Sequence, residues 1–169
     1  MAEPRTVDGL DRDAFVARYG PLFEHSPWVA EAAYAHGPFE DSEAVLEALV
    51  AAMYAAPRER QLDLIRAHPD LAGRAAIEGT LTPDSRREQS SAGLDRLSPQ
   101  QYEAFTRTNA AYRERFGFPF VICAREHDRE SILAAARQRL QHDAETELRT
   151  ALAEIAKIAR LRLEDLEAE

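Results

Sequence analysis

The stretch Ser98-Pro99-Gln100-Gln101-Tyr102-Glu103-Ala104-Phe105, continuing through Asn109 and Tyr112 to Phe116-Gly117, reads as one complete helix. Ser98 is an N-cap residue, and Pro99 suits the first helical position, where a missing N–H breaks no helical bond. Gln101 can reach back to complete a capping box. Tyr102, Phe105, Asn109, Tyr112 and Phe116 then recur at alternating steps of three and four, which sets them along one side of the helix. Gly117 ends it.

Working outward, the same grammar repeats. Thr82-Pro83 is an N-cap followed by proline, so a helix is predicted from there to about Ala92, with Gly93 as terminator. Upstream, Asp41 to Ala55 carries Val45, Leu46, Leu49, Val50 and Met53 as one apolar stripe. Pro57 opens a further helix through Leu62, Leu64 and Ile65 toward His68. Downstream, a helical region from about Asp128 to Leu166 should break or bend near His142-Asp143, and its second half sets Leu148, Leu152, Ile155, Ala159 and Leu166 on one side. Only Phe118 to Ile122 has strand character, and it is too isolated to build a sheet. There is no repeat, low-complexity tract or linker. The expected fold is all-α: a single-domain bundle over residues 1–169, with roughly seven to nine helices and no substantial sheet.

Composition narrows the classes of function. The chain has 169 residues, 45% hydrophobic and 30% charged, which describes a globular protein rather than a disordered one. Its 21 basic and 30 acidic side chains give a net charge of −9, a field that repels nucleic acid and anionic lipid. No apolar run approaches the ~18 residues of a membrane span. A single cysteine, Cys123, excludes an internal disulfide and suits a reducing compartment. Met1-Ala2-Glu3-Pro4 has no signal-peptide pattern and Glu167-Ala168-Glu169 is no peroxisomal address, so the expected location is the cytoplasm.

Three motifs carry the chemistry. In His68-Pro69-Asp70-Leu71-Ala72-Gly73, the proline pushes His68 out of helical geometry, so an imidazole projects from a helix end. Plain packing would instead have His68 cap the carbonyls of the preceding helix. In the second motif, Ser85, Glu88, Gln89 and Ala92 share one helical face that is polar where a packing face would be apolar. Simple solvation is the alternative. Against it, Arg86 and Arg87 already supply the outward charge, and Ser90-Ser91-Ala92-Gly93 allows another element to approach closely. The third motif leaves its helix through Gly117 and is stiffened by Pro119, and the backbone N–H groups of Phe120, Val121, Ile122, Cys123 and Ala124 must find acceptors. That segment can equally be a hydrophobic plug. Asn109, within an aromatic stripe, is read as a tie for the neighbouring loop. Cys123 has apolar neighbours and is read as an inert thiol. His25, His36, His127 and His142 lack metal-ligand spacing, and there is no glycine-rich phosphate loop.

These motifs, namely His68 to Gly73, Glu88-Gln89-Ser90-Ser91-Ala92-Gly93-Leu94, and Asn109 through Phe116-Gly117-Phe118-Pro119-Phe120-Val121-Ile122, with Lys157-Ile158-Ala159-Arg160-Leu161-Arg162-Leu163 near the end, resemble the 2-oxo-4-hydroxy-4-carboxy-5-ureidoimidazoline (OHCU) decarboxylases of urate degradation. The resemblance implies a cofactor-free decarboxylase with an all-α fold that forms a homodimer and makes (S)-allantoin. It implies His68 as general acid and Glu88 as its carboxylate partner. Substrate contacts would come from Pro69, the stretch Ser85-Arg86-Arg87-Glu88-Gln89, the segment Phe120 to Ala124, and a C-terminal arginine, with Arg162 a better match than Arg160.

The chemistry of these residue types agrees with that role. Loss of carbon dioxide beside a C=N or C=O unit leaves charge that must be delocalised onto nitrogen or oxygen, and one hydrogen bond aimed at that atom is worth about 3 kcal/mol. Glu88 would orient the substrate hydroxyl or His68. Which of the two delivers the final proton stays open from sequence. A non-catalytic ureide-binding or partner-docking module is the competing class, but it has no need for both an imidazole and a carboxylate. A hydrolase of a related ureide would normally want a metal or an activated nucleophile.

Overall fold

The computed structural model describes residues 9–168, so the N-terminal stretch Met1-Ala2-Glu3-Pro4 and the final Glu169 lie outside the described residues. Among the described residues are nine α-helices, two short 3-10 turns and no strand. The all-α expectation and its helix count hold.

The chain divides into two compact units, one formed by the residues up to Ala67 together with those from Ala156 on, the other by His68–Ile155. The first holds α1 (Arg12–Tyr19), α2 (Trp28–Tyr34), α3 (Ser42–Ala55) and α4 (Arg58–Arg66). α1 starts on Asp11, whose carboxylate accepts from the Ala14 N–H at 2.8 Å, and α3 starts in the same way on Asp41 with Ala44 at 2.8 Å. Val45, Leu46, Leu49 and Met53 of α3 are buried, as their spacing predicts. α2 packs on both α1 and α3. Phe15 anchors the aromatic part of this core, with ring centroids 5.0 Å from Tyr19, 5.3 Å from Tyr34 and 5.6 Å from Phe39.

The second unit holds α5 (Arg74–Glu78), α6 (Pro83–Ser91), α7 (Pro99–Phe116), α8 (Arg129–Arg139) and the first half of α9 (Ala144–Ala168). α7 forms as its start and stop signals dictate. Ser98 Oγ accepts from the Gln101 N–H at 3.1 Å, and Gln101 Oε1 accepts from the Ser98 N–H at 2.9 Å. At the other end Gly117 adopts φ 77°, a left-handed conformation natural to glycine, and its N–H closes on the Arg113 carbonyl at 2.8 Å. The stripe is buried at Phe105, Asn109 and Tyr112, but Tyr102 is 39% exposed, so the first turn of α7 faces solvent. The break near His142-Asp143 falls where expected, between the end of α8 at Arg139 and the start of α9 at Ala144. There Asp143 accepts the Thr146 N–H at 2.7 Å, and that bond holds its carboxyl below the usual aspartate value. No helix among the described residues is long and apolar enough to cross a membrane.

Candidate active site

Each motif lies where a helix starts or stops. α4 closes at Ala67, whose N–H donates to the Asp63 carbonyl at 3.0 Å. Pro69 keeps the chain from continuing as a helix, so His68 is delivered at a helix end, where it is buried at 7% exposure. The loop that follows is held at several points. Asn109 Nδ2 donates to the Leu71 carbonyl at 2.9 Å, which is the tie expected of that residue. Arg113, one turn further along α7, sets its Nε 3.0 and 3.3 Å from the two Asp70 carboxylate oxygens. Ala72 sits at φ 53°, a conformation costing an L-residue about 1 kcal/mol or more, and its N–H is secured by Gln89 Oε1 at 2.9 Å. Any side chain at Gly73 would bring its Cβ within 2.6 Å of the Asp70 Cβ, so this tight turn admits no larger residue.

The second motif is built on α6. Thr82 Oγ1 caps the helix by accepting from the Ser85 N–H at 3.2 Å, with Pro83 at the first helical position. Ser85, Glu88 and Gln89 are buried and Ala92 with them, while Arg86 and Arg87 are exposed. Burial of a hydroxyl, a carboxylate (9% exposed) and an amide on one face excludes simple solvation of that face. Arg86 reaches the Gly79 carbonyl at 3.3 Å, and Arg87 pairs with Asp84 on the exposed side of its own helix. Gln89 also donates weakly from Nε2 to the Asp70 carbonyl at 3.4 Å. Its amide thus bridges the second motif to the first, with one N–H and one lone pair left over for a ligand.

The third motif is buried from Phe118 to Cys123 without helix or strand, then turns at Ala124–Glu126. Phe118 and Phe120 stand edge-on to the Tyr112 ring, at centroid distances of 5.9 and 5.3 Å, so the hydrophobic plug is real. The backbone finds polar partners at the same time. The Cys123 N–H donates to Glu154 Oε1 at 3.2 Å, and the Val121 carbonyl accepts from Arg139 Nη1 at 2.7 Å. Cys123 is buried and forms no disulfide. α6 packs against the Ala124–Glu126 turn. The second unit therefore gathers all three motifs around α6, which touches the first through Gln89 and the third through that turn.

A cavity of about 630 Å³ opens beside them, lined among others by Ala72, Ile77, Leu81, Arg86, Gln89 and Tyr102. His68 and Glu88 do not line it, so it adjoins the motif residues without being the place where imidazole and carboxylate would act. The C-terminal arginines belong to the first unit. Arg162 is buried, donating to the Pro21 carbonyl at 3.2 Å and lying 3.5 Å from the Glu24 carboxylate. Arg160 is exposed and paired with both oxygens of Glu43, at 3.0 and 3.3 Å, which raises its pKa.

Sequence reading passed over Arg139, Glu147 and Glu154, all buried. A signal was present. Glu147, Ala151, Glu154, Ile158 and Arg162 follow one another at steps of four, three, four and four, so three charged residues occupy the buried side of α9.

The ties on the first motif have a measurable weight. Asn109→Ala leaves the buried Leu71 carbonyl without its donor and should cost about 1–3 kcal/mol in denaturant unfolding. Asn109→Asp, of equal size but with no N–H to give, should cost at least as much.

The family model of the OHCU decarboxylases matches residues 8–164. A 2-oxo-4-hydroxy-4-carboxy-5-ureidoimidazoline decarboxylase of Haloferax volcanii is 48% identical over 157 residues, covering 93% of this chain and 91% of that protein. Among solved structures, an (S)-allantoin synthase superposes with a TM-score of 0.73 at 28% identity over 93% of this chain, which spans about half (51%) of that structure's length. An OHCU decarboxylase crystallised in the presence of (S)-allantoin superposes with a TM-score of 0.70 at 25% identity, covering 84% of this chain and 92% of the other. By sequence and by fold alike, the chain belongs to the OHCU decarboxylase family.

Proposed function

We propose that this chain decarboxylates 2-oxo-4-hydroxy-4-carboxy-5-ureidoimidazoline to (S)-allantoin in urate degradation, without a cofactor, and that His68 and Glu88 are its catalytic residues. The supporting observation is the burial, within one unit, of an imidazole from the first motif and a carboxylate, a hydroxyl and an amide from the second. A small ureide offers amide and hydroxyl groups of the kind that such a set of donors and acceptors recognises.

In this scheme Ser85, Gln89 and the main chain of Phe120 to Ala124 hold the ureido-imidazoline by its amides, with Pro69 closing one side. Arg86, which lines the adjoining cavity, and Arg87 add substrate contacts from the same helix, and Arg162 rather than Arg160 matches the family's ligand-contacting arginine. The bond from the ring carbon to the carboxylate breaks and carbon dioxide leaves. The electron pair passes into the adjacent C=N unit, where hydrogen bonds stabilise it. His68 handles the proton that returns to carbon, and Glu88 orients the substrate hydroxyl and the imidazole. Delivery to one face gives a single enantiomer. The active form is a homodimer and its place is the cytoplasm. Molar mass by light scattering tests the first and fractionation tests the second.

Two measurements decide the function. Purified protein given freshly generated substrate should outpace spontaneous decay and yield optically active allantoin, whereas a module that only binds ureides would leave rate and racemic product unchanged. Glu88→Gln keeps the shape and removes the charge, and it should lower kcat by about 10²-fold with little change in melting temperature. Wild-type kcat in the Glu88→Gln protein would remove the carboxylate from the mechanism.

A further inference from the structure

Against the segment Phe120–Ala124 lies a buried charged cluster that none of the chemistry above employs. Arg139, the last residue of α8, is 6% exposed. Its Nη1 donates to the Val121 carbonyl at 2.7 Å, its Nε donates to Glu147 Oε1 at 2.7 Å, and its guanidinium carbon lies 4.4 Å from the centre of the Phe120 ring. One side chain thus grips two successive residues of the segment, one by its carbonyl and the other by its ring. Glu147 is fully buried and also accepts the Tyr112 hydroxyl at 2.6 Å. Its second oxygen faces His142 Nδ1 at 2.8 Å. Burial, and then the bond to Glu147, hold the Tyr112 phenol well above the usual tyrosine range, so the cluster keeps it neutral.

A buried ion pair is a poor source of stability, because desolvation offsets most of the attraction and apolar replacements are often no worse. Geometry explains this one better. Only a planar guanidinium can lie on an aromatic face and donate in two fixed directions at once. A trans peptide is planar, with its C=O and N–H pointing opposite ways. Holding the Val121 carbonyl therefore also sets the direction of the Ile122 N–H, away from Arg139. Glu154 fixes the next peptide from its other end, taking the Cys123 N–H at 3.2 Å and so turning the Ile122 carbonyl away from itself.

The geometry points to Arg139, itself held by Glu147, as a positioning residue for the reaction: it aims the Ile122 N–H of the third motif at the substrate. This rests on the proposal that the Phe120–Ala124 backbone holds substrate, and it adds residues outside the three motifs to the working parts of the site.

The test uses the full chain and two variants, with melting temperature, steady-state kinetics on freshly generated OHCU, and (S)-allantoin affinity by calorimetry as readouts. Arg139→Met combined with Glu147→Leu leaves no unpaired buried charge, so it should fold and melt well above the Glu147→Ala protein, though below wild type because Tyr112 and the Val121 carbonyl lose their partners. Its KM should rise, and its allantoin affinity fall, by about tenfold, the scale of one misaimed hydrogen bond. Arg139→Lys keeps the charge but not the fork, and should show the same rise in KM. Either variant, folded and with wild-type KM and allantoin affinity, overturns the inference; should the double variant not fold, the lysine variant decides alone. Absence of turnover by the wild type would instead sink the functional proposal, a separate result.

Discussion

His68→Asn should give a folded protein whose kcat on OHCU is lower by about 10²–10⁴-fold, the usual contribution of a positioned acid or base. Asparagine keeps a donor and an acceptor near the imidazole's size but cannot exchange a proton near neutrality. Affinity for (S)-allantoin should change little, since in the proposed scheme the amide contacts come from α6 and the third motif. The product should lose its optical activity as spontaneous decay overtakes the enzyme. The measurement is a progress curve followed by absorbance, with circular dichroism of the product at its end. A variant that folds and retains full, stereospecific turnover would remove His68 from catalysis while leaving the fold and family untouched.

The largest effect on stability is expected at Glu147, far from any motif in sequence. Glu147→Ala should cost about 3–5 kcal/mol, because it leaves the buried Arg139 charge without its counter-ion. It also takes away the acceptor of the Tyr112 hydroxyl. For a chain of this size that is a fall in melting temperature of about 6–20 °C. Replacing Arg139 and Glu147 together by apolar residues should recover much of the loss, since the penalty comes from the unpaired charge and not from the absent pair. Thermal or urea unfolding of the two single variants and the double variant closes the cycle. A Glu147→Ala protein as stable as wild type would mean that the cluster is hydrated and carries no strain of burial.

Where local chemistry decides an element, sequence was enough to read it. The capping box at Ser98, the proline after Thr82 and the left-handed glycine at 117 act within a few residues of themselves, so the bounds of α6 and α7 follow from neighbouring side chains. The partly exposed Tyr102 shows the limit of the periodic stripe. Spacing places a residue on a side of its helix, but what covers that side is a matter of packing. The same limit hid Glu147 and Glu154. Each stands at a stripe position on α9, and periodic reading treats a charge there as noise unless a distant partner is known. For Glu147 that partner is Arg139, eight residues back across the break at His142, and for Glu154 it is the main chain of Cys123.

The order of residues alone determined that this chain would be helical, where α6 and α7 would begin and end, and which imidazole, carboxylate and aromatic segment were worth watching, because capping, periodicity and proline geometry are short-range effects. Only the folded chain decided that the polar side of α6 would be buried, that Gln89 and Asn109 would clamp the His68 loop, and that Arg139 and Glu147 would grip the third motif. Those outcomes depend on hydrogen bonds between groups from 17 to 38 residues apart, or on charges that meet across a break between helices. No local propensity encodes such meetings; they arise when the core closes and each buried polar group must find its partner.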